Sequence, residues 1–169
     1  MMKKTFLALL LFAFTAFPLH AEDTTERRHP NHKMEVTFVP AKESFSQDGP
    51  VLVTLEIKNI GNTPFMFWQG GRQRGPRDNQ FAFSGEQSGR MLPDIGNPMN
   101  LGGIMRPVHL DPQEKVDIHV DLTKWFDFTE PGRVMLRGSY YMSFADPQST
   151  NYSKIWEDFA SAEFSIQIE

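Results

Sequence analysis

Histidine and methionine side chains recur in this chain at spacings that suit a soft metal ion. Imidazole is a good ligand for copper, nickel and zinc, and thioether sulfur favours copper(I). The pattern predicts, as an alternative hypothesis, a periplasmic copper-handling protein. The simpler interpretation is preferred, because histidines in a tail bind metals adventitiously and methionines commonly fill gaps under loops. The candidate ligands are His29, His32, Met34, Met91, Met99, Met105 and His109.

Arginines form a second candidate site. Arg72, Arg74 and Arg77 lie in segment 69–79, which glycines and a proline bend, and Trp68 stands directly before it. Guanidinium groups on such a loop can bind the carboxylate or phosphate groups of a ligand or partner. A neighbouring tryptophan can anchor a partner, although core packing is its commoner role. The segment predicts a partner-binding surface, with a merely solubilising loop as the simpler interpretation.

Catalytic motifs are missing from the sequence. No Gly-x-Ser-x-Gly elbow occurs, and no histidine stands in a zinc-protease motif. Asp117, His119 and Asp121 share one face of a strand, but alternate residues on a strand lie about 7 Å apart and do not converge unaided. We therefore expect no enzyme and no catalytic residue, with a hydrolase whose site assembles from distant residues as the least favoured hypothesis.

The N-terminus has the organisation of a secretory signal peptide. Lys3 and Lys4 precede an apolar run at residues 6–17, and Ala21 precedes an acidic segment. The run is far shorter than the roughly 20 residues of a membrane-spanning helix. We predict cleavage after Ala21, no membrane span afterwards, and a periplasmic or extracellular location. The chain has no cysteine, which excludes disulfides, a lipidated cysteine and thiol chemistry.

The charge of the mature chain is acidic. Removing Lys3 and Lys4 leaves 17 − 2 = 15 basic residues against 21 acidic ones, and the net charge is 15 − 21 = −6 with histidine neutral. Nucleic-acid binding without sequence preference depends on neutralising phosphates with basic side chains. We therefore expect no nucleic-acid partner.

The hydrophobic pattern has a period of two residues. Residues 22–33 contain no apolar side chain and predict a flexible mature N-terminus. From Met34 onward, apolar residues alternate with polar ones in about seven segments separated by glycine or proline, a pattern typical of antiparallel strands. A single helical turn is expected within residues 122–128. The pattern predicts one β-sandwich domain over residues 34–169, with long loops at 69–79 and 84–103.

Several short motifs resemble those of secreted bacterial immunoglobulin-like domains. They are Leu55 to Gly61 as strand and turn, Leu110 to Glu114 before a strand, Trp125 followed by Pro131-Gly132, Tyr140-Tyr141, and Ile155-Trp156 before the last strand. Gln113 and Arg133-Val134 depart from the usual pattern of these domains. The resemblance implies an immunoglobulin-like β-sandwich, and it implies little chemistry because many such proteins have no assigned function.

These observations favour a non-enzymatic exported binding module, a class that includes inhibitor- and immunity-type proteins. Its expected partner is another exported protein or a glycan, bound by Trp68, Arg72, Arg74 and Arg77. No cofactor is expected, with copper as the alternative.

Overall fold

Ten strands and one short helical turn make up the described part of the chain. The computed structural model describes residues 31–97, 99, 101–145 and 154–169. The predicted signal peptide lies outside this range, and no helix within the range is long and apolar enough to cross a membrane. A 3-10 turn at Leu122–Lys124 confirms the expected helical turn. The strands are β1 Met34–Pro40, β2 Ser44–Phe45, β3 Leu52–Asn59, β4 Phe65–Gly70, β5 Phe81–Gln87, β6 Arg90–Met91, β7 Met105–Leu110, β8 Lys115–Asp121, β9 Gly132–Ala145 and β10 Lys154–Ile168.

The strands form two sheets. The smaller sheet has the order β1-β3-β8, and the larger has the order β2-β10-β9-β4-β7, with β5 pairing to β9 and β6 pairing to β5. All pairs are antiparallel except β2 with β10. This arrangement of two packed sheets confirms the predicted all-β, immunoglobulin-like sandwich.

Strand β9 organises the larger sheet because it changes partner along its length. One edge of β9 pairs with β10 from Gly132 to Ala145. The other edge pairs with β5 over residues 134–140 and with β4 over residues 143–145. The connection between β4 and β5 therefore emerges at the point where β9 changes partner.

The core lies between the sheets, where the alternating apolar residues of the strands meet. Val53, Leu55 and Ile57 of β3 are buried, as their period of two predicts. Aromatic rings fill the middle of the sandwich: the Phe38 ring stacks on Phe164 at 5.1 Å and meets the edge of Phe83 at 5.6 Å. Because the chain has no cysteine, no disulfide stabilises the domain, and the burial of these apolar side chains is its main source of stability.

The strand assignments differ from the sequence prediction at four places, β2, β5, β6 and β7. The two-residue strand β2, Ser44–Phe45, was not predicted. Residues 84–87, expected to lie in a long loop, continue β5, and Arg90–Met91 returns as β6 in a short hairpin. Among the described residues, the stretch without strand or helix is therefore 92–97, 99 and 101–104, instead of 84–103. Strand β7 was not predicted, because as an edge strand it exposes most of its side chains and shows no clear alternation.

The chain packs against the domain before the first strand begins. The His32 ring lies 4.9 Å from the ring of Phe65 and 5.0 Å from that of Phe144. The backbone of Ile60 donates a hydrogen bond to the carbonyl of Lys33 at 3.0 Å. Of the expected flexible segment 22–33, only these last residues fall within the described range, and they contact the sandwich.

Candidate functional site

The two irregular segments identified in the sequence lie side by side. We call residues 71–80, which connect β4 to β5, and residues 92–104, which connect β6 to β7, the joined loops. The backbone N–H of Arg74 donates to the carbonyl of Gly102 at 2.9 Å, and that of Leu101 donates to the carbonyl of Arg74 at 3.1 Å. Asn79 Nδ2 donates to the carbonyl of Met99 at 3.0 Å. These bonds turn two separate loops into one surface.

Arg77 connects the joined loops internally. Its side chain is only 7% exposed, and its guanidinium lies 5.1 Å from the centre of the Trp125 ring. Nη1 and Nη2 donate to the two carboxylate oxygens of Asp94 at 2.6 and 3.0 Å. Hydrogen bonding from Arg77 holds the pKa of Asp94 below its usual value. The structure thus places Arg77 beneath the surface, where it fixes the loops instead of facing a partner.

Arg72, Arg74 and Trp68 lie in different surroundings. Arg74 is exposed, whereas Arg72 is partly covered and its guanidinium lies 4.2 Å from the centre of the Tyr141 ring. The Phe159 ring, which is 58% exposed as a residue, meets the edge of Tyr141 at 5.8 Å. Trp68 pairs with Ser143, which is two residues after Tyr141 on β9. Alternate residues of a strand share a face, so Trp68 lies on the same outer face of the larger sheet as Tyr141. Cations and aromatic rings therefore meet beside the joined loops.

The hydroxyl of Tyr141 donates a hydrogen bond to the carboxylate of Glu157 on the adjacent strand. Partial burial and the nearby Glu157 raise the pKa of Tyr141 above its usual value. The ring is therefore held in place as a neutral platform for Arg72.

Exposed apolar side chains are concentrated on the second of the joined loops and the start of β7. Met99, Leu101, Ile104 and Met105 are 50%, 63%, 72% and 58% exposed. Large apolar residues grouped on a surface mark interaction sites more often than singly scattered ones do. Methionine, arginine and aromatic residues are also the types enriched in protein interfaces.

A polar cavity of about 310 Å³ opens beside the joined loops. Asp78 and Arg106 both line it, together with the exposed side chain of Ile104. Arg106 Nε donates to Gln69 Oε1 at 2.9 Å. Burial raises the pKa of Asp78, although the backbone N–H of Gln80 and the charge of Arg72 partly offset this effect. The other lining residues are Gln69, Gly70 and Gln73.

Gln80 lies under this cavity and is 3% exposed. Its Oε1 accepts hydrogen bonds from the backbone N–H of Gly70 at 2.5 Å and from the hydroxyl of Tyr140 at 2.9 Å. Its Nε2 donates to the carbonyls of Trp68 and Tyr141, each at 3.3 Å. One buried amide thus satisfies the backbone where β9 changes partner from β5 to β4.

The candidate copper ligands are distributed over several elements. His29 lies outside the described residues, His32 packs on phenylalanine rings, and Met34 and Met91 lie on β1 and β6. Met105 and His109 are four residues apart on β7, a separation of about 13 Å along a strand. Within the described ranges, no three His, Asp or Glu side chains converge in a way that could hold a metal ion. Copper binding stays a prediction.

The acidic face of β8 has structural partners. Asp121 Oδ1 accepts from the backbone N–H of Thr123 at 3.1 Å and caps the 3-10 turn. His119 Nδ1 lies 3.0 Å from the hydroxyl of Thr54 on β3. Asp117 lies 3.4 Å from Lys115 Nζ. These contacts agree with the interpretation of this face as a solvated sheet surface.

Comparison with known proteins identifies no family for this chain. No protein-family model matches the chain, and no curated protein matches it in sequence. Among solved structures, a β-glucosidase from Erythrobacter marinus aligns over 82% of this chain with a TM-score of 0.40 and 14% identity. A CARDB domain from Pyrococcus furiosus in complex with di-metal ions aligns over 81% of this chain and 93% of its own length, with a TM-score of 0.37 and 12% identity. This chain spans only 16% of the β-glucosidase. Likenesses this distant carry no conclusion about activity or ligands.

Sequence reasoning missed Asp78, Gln80 and Arg106. Asp78 and Gln80 shortly precede the aromatic start of β5, and Arg106 lies within β7, positions that are common for polar residues and have no specific meaning. Their proximity arises from the pairing of β4 with β7 and from the partner change on β9. No local spacing in the chain signals that arrangement.

Proposed function

We propose that this protein is a non-enzymatic exported binding module that captures another exported protein through the joined loops. The observation that carries the proposal is the fixed juxtaposition of exposed Arg74 with exposed Leu101 and Ile104. A cation beside apolar side chains suits a partner surface that has a carboxylate at the edge of an apolar patch. Arg72, Tyr141 and Phe159 extend the surface along the larger sheet.

Preorganisation supports the proposal. A loop that is already ordered loses less conformational entropy when it binds than a free loop does. The Arg77–Asp94 pair and the backbone bonds of Arg74 fix the joined loops before any partner arrives. The loops are therefore suited to recognition by a preformed surface.

Site-specific crosslinking in the source cells tests the proposal. A photoreactive amino acid is introduced at Leu101, and a control is placed at the exposed Thr37 of β1, in the other sheet. We expect Leu101 to give one discrete protein adduct that Thr37 does not give. Equal adducts at both positions, or none at Leu101, would contradict the assignment of the joined loops. A carbohydrate adduct at Leu101 would show that the partner is a glycan instead of a protein.

A pair of matched variants tests the role of charge. Arg72→Ala/Arg74→Ala removes two guanidinium groups at the joined loops, and Arg133→Ala/Arg137→Ala removes two exposed ones elsewhere on β9. Arg133 is eight residues from Tyr141 on β9, about 26 Å away. We expect the first variant alone to lose the crosslink at Leu101 while keeping the wild-type melting temperature.

Export is a separate part of the proposal. We expect the protein purified from the periplasm or the medium to begin at Glu22, as N-terminal sequencing would show. A cytoplasmic protein that begins at Met1 would contradict export without bearing on the joined loops.

A further inference from the structure

The polar cavity beside the joined loops has the size of a small-ligand site and carries side chains of opposite charge. Its volume of about 310 Å³ is at the lower end of the range for ligand pockets, about 300–1,000 Å³. Its lining combines a guanidinium, a carboxylate, two side-chain amides and one aliphatic side chain. Such a lining offers a charged group for each end of a small polar molecule.

Arg106 supplies the positive end. Its Nε is fixed by Gln69 Oε1 at 2.9 Å. Within the described part of the chain, its terminal nitrogens have no hydrogen-bond or carboxylate partner. An arginine held at Nε with both terminal nitrogens available is well placed to bind a carboxylate with two hydrogen bonds.

Asp78 supplies the negative end. One of its oxygens accepts from the backbone N–H of Gln80 at 3.0 Å, and the residue is partly buried. Partial burial leaves the carboxylate short of hydrogen-bond donors, a state that raises its pKa. A donor brought by a ligand would compensate for this loss of solvation.

The two charges do not neutralise each other. Asp78 and Arg106 line the same cavity, yet no ion pair within 4.0 Å joins them among the described residues. Burial raises the pKa of the Tyr140 hydroxyl behind the cavity, the charge of Asp78 raises it further, and the charge of Arg106 lowers it. The opposite charges of Asp78 and Arg106 thus line one cavity without forming an ion pair.

We infer that this cavity binds a small zwitterion, an α-amino acid or a dipeptide, with the ligand carboxylate on Arg106 and its ammonium group on Asp78. Gln73 lines the cavity as a further polar contact, and Ile104 provides an apolar one for a side chain. The inference does not rest on capture of a protein by the joined loops, because the cavity can be occupied by a free molecule.

Calorimetric titration of the purified mature protein tests the inference. The probes are the common L-amino acids and diglycine, with N-acetylglycine and glycinamide as controls that lack the ammonium and the carboxylate respectively. We expect saturable binding of at least one zwitterion, and at least about tenfold weaker binding when its ammonium or carboxylate is blocked. The absence of saturable binding by every zwitterion up to about 10 mM, which corresponds to a free energy weaker than about −3 kcal/mol, would overturn the inference.

Variants locate the site. Arg106→Gln and Asp78→Asn should each weaken binding by about tenfold or more, because each removes a charge-assisted contact. Arg133→Ala, on an exposed position of β9, should leave binding unchanged. Arg106 is exposed and Asp78→Asn removes only a partly buried charge, so both variants should fold. Wild-type affinity in Arg106→Gln, or equal affinity for the zwitterion and its N-acetyl form, would overturn the inference while leaving the Leu101 crosslinking result untouched.

Discussion

Arg77 and Asp94 join the two irregular loops of this sandwich through a pair of parallel hydrogen bonds of 2.6 and 3.0 Å. The sequence separation is 17 residues, and strands β5 and β6 lie between the two positions. Because Arg77 also packs on Trp125, the contact anchors the joined loops to the core. Three arginines that look equivalent in the sequence therefore differ in role.

Replacing Arg77 should cost stability, whereas replacing Arg74 should not. We expect Arg77→Ala to lower the free energy of unfolding by about 1–3 kcal/mol, through lost packing and hydrogen bonds. Arg74→Ala, at an exposed position, should stay within about 0.5 kcal/mol of the wild type. Urea denaturation of the two variants measures the difference. Equal effects would show that the Arg77–Asp94 contact does not hold the loops.

The Asp94 carboxylate should contribute stability in a pH-dependent way. Its pKa is lowered in the folded state, so its contribution is present above the unfolded value of about 3.9 and is lost as the pH falls through the folded value. Asp94→Asn should therefore reduce stability at pH 7 and have little effect near pH 2. Because Asp94 is 45% exposed, solvent screening should limit the loss to about 1 kcal/mol or less. Melting temperatures at both pH values measure it, and a loss that is equal at both would contradict the ion pair.

Gln80 should be among the most sensitive polar positions of the domain. Gln80→Leu keeps the approximate size of the side chain but removes its hydrogen bonds to the part-buried backbone of Gly70, Trp68 and Tyr141. Since each unsatisfied buried group costs about 1–3 kcal/mol, we expect a loss of at least about 2 kcal/mol. Tyr140→Phe, which removes the hydrogen bond from the Tyr140 hydroxyl to Gln80 Oε1, should cost about 1 kcal/mol.

A double variant separates the buried amide network from simple packing. If Gln80 and Tyr140 act through their shared hydrogen bond, Gln80→Leu/Tyr140→Phe should cost less than the sum of the single variants in urea denaturation. Strict additivity would show that the two side chains contribute independently.

The sandwich itself is readable from the sequence because burial imposes a period of two on most of the long strands, although β4 buries three successive residues. Val53, Leu55 and Ile57 alternate with polar residues since one face of β3 meets the core and the other meets water. The edge strand β7 departs from this rule, whereas the edge strands β1 and β8 keep it. Residues 105–110 of β7 expose most of their side chains, so their alternation is lost and the strand looks like a loop.

The candidate site was only partly predictable. Glycine, proline and arginine in segment 69–79 indicate an exposed, charged loop, and the structure brings this loop to the second irregular segment. The chain carries no local sign that Arg77 turns inward to Asp94, because that pairing depends on the folding of the intervening hairpin. Asp78 and Arg106 converge for the same reason, through strand pairing between distant parts of the chain.

Gly138 permits two aromatic rings of the core, Phe38 and Phe83, to approach the backbone of β9 closely. A Cβ atom at this position would lie 2.5 Å from Cζ of Phe38 and 2.8 Å from Cε1 of Phe83. Gly138→Ala should therefore lower the free energy of unfolding by about 1–3 kcal/mol through overpacking. Phe38→Leu should relieve part of this clash, so the double variant should be more stable than the sum of the single effects indicates. Thermal unfolding of the three variants measures the coupling, and additive effects would contradict this close approach.

Asp78 should behave in the opposite way to Asp94 when the pH changes. Burial raises the pKa of Asp78 in the folded state, so ionisation of this carboxyl disfavours folding above the unfolded value of about 3.9. Asp78→Asn should consequently stabilise the protein at pH 7, by about 1 kcal/mol or less because the group is only partly buried. The gain should disappear below about pH 3, where the carboxyl is protonated in both states. Melting temperatures between pH 3 and 7 measure this profile. Destabilisation by Asp78→Asn at pH 7 would instead show that the attraction of Arg72 outweighs the cost of burial.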